Sequence, residues 1–118
     1  MTPARLPRPL RLAVFGACTA TLLWLSLAPS EDLPKITFWD KTEHALAYLL
    51  LTLTGLLLFP KHPRLVVAVA ITLGAGVEVL QSLMGFGRQG DWRDMVANTL
   101  GVAVATGCWM VVRRWRRR

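Results

Sequence analysis

Residues 74–101 read Gly74-AGVEVLQSLMGFGRQGDWRDMVANTL-Gly101, and this stretch decides how the rest of the chain is read. Glu78 and Gln81 sit inside an apolar run that begins at Leu65. A glycine-rich turn carrying Arg88 follows, and Asp91, Asp94 and Asn98 then open a second apolar run. Polar side chains within or at the mouth of membrane-length segments are costly and by default mark a site. An ordinary hairpin between two membrane helices has no need of them.

Working outward, the apolar residues come in four blocks: Leu10–Ala28, Ala45–Phe59, Leu65–Gly87 and Met95–Val112. A membrane helix needs about 20 mostly apolar residues to cross a core of roughly 30 Å, and each block reaches or approaches that length. The blocks occupy most of the 118 residues, so no separate soluble domain remains. The expected fold is an all-α membrane protein, an antiparallel bundle of four transmembrane helices spanning residues 10–112. Residues 1–9 form a basic, Pro-rich and disordered tail in this reading, and residues 113–118 an Arg-rich tail. The first block is too long for the h-region of a signal peptide, and Pro29 would follow the candidate cut, so it reads as an uncleaved span.

The net charge of +7 is distributed in a way that argues against nucleic acid. Arg5, Arg8 and Arg11 precede the first block, Lys61 and Arg64 separate the second from the third, and five arginines close the chain. In a four-span topology ten of the 14 basic residues therefore share one side, leaving Lys35, Lys41, Arg88 and Arg93 on the other. Lys and Arg concentrate in cytoplasmic loops, which puts both termini in the cytoplasm and the basic tail against anionic lipid headgroups. The expected location is the bacterial cytoplasmic (inner) membrane. All seven acidic residues fall on outer loops or outer helix halves, which topology does not require. Cys18 and Cys108 lack metal-ligand spacing and read as small apolar filler.

The second helix is expected from near Asp40 to Phe59, ended by Pro60 and Pro63, and the third from Leu65 to about Met84. Residues 85–93 are a turn by composition, and the fourth helix runs from about Asp94 to Val112. Ala97, Gly101 and Ala105 form a small-residue row that allows a neighbouring helix to approach closely. Residues three, four or seven apart share a helix face. Asp40, His44 and Tyr48 step by four; Glu78 and Gln81 by three; Asp91, Asp94, Asn98 and Gly101 by three, four and three. Three helices thus each carry a polar face at the outer end. Taken singly, Asp40 and Asp94 also suit helix N-caps, Tyr48 packing, and Gln81 and Asn98 interhelical hydrogen bonds. Glu78 is harder to explain that way, because a carboxylate at that depth must be protonated or compensated, and Arg88 and Arg93 are the nearest cations, with Lys41 behind them.

The ordered set Asp40-Lys41-x-x-His44-x-x-x-Tyr48, Glu78-x-x-Gln81 and Arg88-x-x-Asp91-x-x-Asp94-x-x-x-Asn98-x-x-Gly101 resembles the pattern of VanZ-like membrane proteins over residues 40–101. The resemblance implies four spans and a setting in the cell envelope, in a family named for a teicoplanin-resistance protein, and it implies no particular reaction. The leading functional expectation is recognition of an anionic, lipid-linked envelope precursor. Arg88, Arg93 and Lys41 would meet phosphate or carboxylate, and Asp40, His44, Tyr48, Glu78, Gln81, Asp91, Asp94 and Asn98 would complete the ligand-binding set. Two rivals remain. His44 with Glu78, Asp91 or Asp94 suits acid–base work or a divalent metal, although no nucleophile motif, HExxH or DxD is present. The other rival is a structural or partner-binding subunit whose polar cluster locks the helices together. The sequence names no cofactor and leaves that question open.

Overall fold

The computed structural model describes residues 2–27, 40–84 and 92–118, and the side chains of all these except Asp40, Lys41 and Met84. The described residues form four α-helices and no strand: α1 (Arg8–Leu27), α2 (Asp40–Leu58), α3 (Pro63–Met84) and α4 (Trp92–Arg116). Each helix follows from a long apolar run without an internal proline, and Pro63 opens α3 where a missing N–H costs nothing. Three of the four, α1, α3 and α4, are long and apolar enough to cross a membrane. The apolar part of α2, Thr42–Leu58, is shorter.

The distribution of side chains points the same way. Leu50, Leu65, Leu80 and Leu83 lie on the outside, whereas Thr52, Glu78, Gln81, Asp94 and Asn98 are buried. Water would penalise both halves of that arrangement, while hydrocarbon favours it. The apolar core is built from Leu22, Tyr48, Leu51, Ala70 and Val102. Cys18 is half-buried against it, and Cys108 faces outward.

α2 is the central element: it touches α1, α3 and α4, and its contact with α4 is the most extensive in the molecule. Gly101 explains that contact. A Cβ at this position would run into the carbonyl oxygen of Ala45 and come within 3.0 Å of the Leu49 amide nitrogen, so the two backbones meet there directly. Ala97 and Ala105, one turn to either side, are buried in the same seam. Gly55 serves α2 similarly, its missing Cβ leaving room for Phe15 and Val66.

The helix ends sort into two groups. At one end Arg11 of α1 donates to the Leu58 carbonyl (3.0 Å) and Arg113 of α4 to the Pro60 carbonyl (3.3 Å). These cations satisfy carbonyls that the end of α2 leaves open. Phe59 fills the space beneath, edge-on to Phe15 and under the Arg11 guanidinium. At the other end Gln81 of α3 donates to the Ser26 carbonyl of α1 (2.8 Å).

Several boundaries differ from those the sequence predicts, among them the start of α3, which opens at Pro63 and not at Leu65. Pro3–Arg5 form a 3-10 turn packed against α2, and α1 starts at Arg8, so residues 2–9 are not a disordered tail. Pro3 pre-sets the backbone angle of that turn. α4 starts at Trp92, taking the last two residues of the predicted turn, and it continues to Arg116. Arg113, Arg114 and Arg116 complement the negative C-terminal end of the helix, so the change to polar residues marks the edge of the apolar span and does not end the helix.

Candidate functional site

Of the residues predicted to share one face of each helix, His44, Glu78 and Asp94 come together in the structure, with Asn98 beside His44. Spacings of four on α2 (His44, Tyr48) and α4 (Asp94, Asn98) turn these side chains toward Glu78 and Gly74 of α3, while Gln81, three residues beyond Glu78, donates to the Ser26 carbonyl of α1. The Ala45–Gly101 crossing lies one residue from His44 and one turn below Asn98, so it holds the polar ends of α2 and α4 together. Gly74 does the same for α3, leaving its surface open to the Tyr48 ring and the Asn98 side chain.

His44 is the hinge of the cluster. Its Nδ1 lies 3.2 Å from Asn98 Oδ1, an oxygen that can only accept, so Nδ1–H is the donor. Its Nε2 then faces Asp94 Oδ2 at 3.5 Å. Glu78 completes the group: ligand-capable atoms of His44, Glu78 and Asp94 all lie within 4.8 Å of one another. The two carboxylates are only 4% and 5% exposed. Two buried acids and one imidazole, from three different helices, are thus brought within reach of one another.

The other predicted residues are placed as follows. Arg88 and Asp91 lie outside the described residues, and Asp40 and Lys41 are described only as backbone at the start of α2. Arg93 is exposed on a different flank of α4, its guanidinium 5.8 Å over the Trp92 ring. There it lines a groove of about 600 Å³ between α2 and α4, whose walls are apolar and include Leu46, Leu49, Val96 and Leu100. Of the described part of the predicted ligand set, His44, Glu78 and Asp94 form a buried cluster and Arg93 lines an apolar groove.

Thr52 escaped the sequence reading. It is fully buried one turn below Tyr48, and its hydroxyl has no hydrogen-bond partner among the described residues. The signal was present: the four-residue step of Asp40, His44 and Tyr48 continues to Thr52.

A family model described as VanZ/LLP1 matches residues 11–113, nearly the whole chain. The chain belongs to the VanZ/LLP1 family. Neither a curated protein nor a solved structure matches it. The family match covers every described residue of the cluster and of the groove in this VanZ/LLP1 protein.

Proposed function

We propose that this VanZ/LLP1 protein is an integral protein of a bacterial cytoplasmic membrane that recognises one anionic, lipid-linked envelope component. All four helices cross in alternating directions in this reading. The basic ends (Arg11, Arg113 and the closing arginines) face the cytoplasm and the His44–Glu78–Asp94 end faces outward. The concentration of Lys and Arg at one end supports that orientation.

The observation that carries the reading is the groove between α2 and α4. About 600 Å³ lies within the roughly 300–1,000 Å³ range of ligand sites, and Arg93 is the charged residue in its described lining. An apolar chain would lie along Leu46, Leu49, Val96 and Leu100 while a phosphate meets the guanidinium, whose planar fork suits phosphate oxygens. Trp92 beneath Arg93 suits the headgroup level, where amphipathic rings collect.

Photo-crosslinking in nanodiscs tests this directly. Diazirine-bearing polyprenyl phosphate and phosphatidylglycerol should label the groove more strongly than phosphatidylcholine, and Arg93→Gln should remove the preference. Val96→Trp should block labelling by all of them. Equal labelling by anionic and zwitterionic lipids, unchanged by Arg93→Gln, would mean ordinary boundary lipid and end the proposal. A link to teicoplanin tolerance is a further consequence, read from susceptibility with and without the gene.

The second reading is acid–base chemistry on the same class of lipid head group, favoured by the His44–Asp94 pair. An imidazole held by Asn98 on one side and facing a carboxylate on the other is oriented as a proton carrier would be.

A further inference from the structure

The acidic cluster is not explained by a lipid groove on the other flank of α4, and its geometry suits a metal ion. Bonds of about 2.1 Å to imidazole nitrogen and carboxylate oxygen put neighbouring ligands of a tetrahedral site about 3.4 Å apart. His44 Nε2 and Asp94 Oδ2 stand 3.5 Å apart, with a ligand atom of Glu78 inside the same 4.8 Å group. Because Nδ1–H is committed to the Asn98 carbonyl oxygen, Nε2 is left as the coordinating nitrogen. Metal-binding histidines are commonly oriented by such a second hydrogen bond.

An independent observation points to an occupant. The Tyr48 hydroxyl, Gln81 Oε1 and Asn98 Nδ2 have no hydrogen-bond partner among the described residues, although the three side chains are only 2–3% exposed. All three lie on the helices that supply the cluster. Asn98 bonds His44, Gln81 lies one turn along α3 from Glu78, and Tyr48 lies one turn along α2 from His44. Buried polar atoms are rarely left unsatisfied. Water ligands on a metal would donate to Gln81 Oε1 and to the Tyr48 oxygen.

We propose that His44, Glu78 and Asp94 form a three-ligand site for a divalent first-row cation, Mn²⁺ or Zn²⁺, with water-filled positions toward Tyr48 and Gln81. Two carboxylates and one imidazole are donors that both ions accept. The site is independent of what occupies the groove, so either proposal can fail alone. The competing account is a protonated His44 between Asn98 and Asp94, which would lock the helices without a metal.

The test uses the full chain carrying His62→Ala, which leaves His44 as the one histidine, purified without a His tag and stripped with chelator. Titration with Mn²⁺ or Zn²⁺ should give saturable binding of about one ion per chain and a rise in Tm, and Glu78→Gln and Asp94→Asn should each weaken affinity at least about tenfold. X-ray absorption of the Zn²⁺-loaded protein should show one imidazole among oxygen ligands. It decides the question even if both variants fail to fold. No saturable binding up to about 1 mM, the weak end for biological divalent sites, would overturn the proposal. So would affinity unchanged in both variants, or a metal shell without imidazole.

Discussion

Gly101→Ala is the sharpest perturbation available, because it adds one methyl group at the contact that organises the bundle. The new Cβ would land on the Ala45 carbonyl oxygen and crowd the Leu49 amide, and both are backbone atoms that cannot rotate away. α2 and α4 would have to part. A gap of roughly 0.5–1 Å forfeits a quarter to a half of the dispersion energy of each contact it opens, and overpacking of this kind costs about 1–3 kcal/mol. Gly16, Gly76 and Gly107 supply internal controls, since a Cβ at any of them meets nothing within 4 Å. Alanine there should be neutral or gain up to about 1 kcal/mol from helix propensity. The expected gap between Gly101→Ala and the three controls is therefore about 2 kcal/mol or more. At about 4 °C per kcal/mol for a chain of this length, it should read as roughly 8 °C in Tm. Thermal unfolding in one detergent, with folded yield as a second readout, measures it. If Gly101→Ala melts with Gly107→Ala, the backbone contact between α2 and α4 does not exist, and the alignment of His44 with Asp94 loses its cause.

Two further outcomes are expected. Tyr48→Phe removes a buried hydroxyl without a described partner, so stability should hold or rise by about 1 kcal/mol, while Mn²⁺ affinity falls; a drop in Tm of several degrees would show that the hydroxyl has a structural partner. A reporter fused after Arg118 should be cytoplasmic and one inserted between Glu31 and Lys35 external, as the ten-to-four division of basic residues requires; reversed labelling would move the cluster to the cytoplasmic side.

The sequence by itself determined the helices and their polar faces. Both are local properties: hydropathy over some 20 residues marks a span, and a repeat of 3.6 residues per turn ties His44 to Tyr48, Glu78 to Gln81 and Asp94 to Asn98 wherever the helices end up. The Ala97–Gly101–Ala105 row likewise announced a close helix contact, and all three residues are buried. What the sequence did not reveal is which faces meet, because that depends on the rotation and crossing of each helix against partners remote in the chain. Tertiary structure chose α2 as the partner of Gly101, which put His44 beside Asp94 and Asn98 and brought Glu78 up from α3. It also placed Arg93 on the lining of the groove between α2 and α4. Adjacent residues on an α-helix point about 100° apart, so when Asp94 faces α3, Arg93 faces the groove beside α2. Counted along the chain the two are neighbours, yet Asp94 is buried with His44 and Glu78 while Arg93 is exposed on the groove's lining.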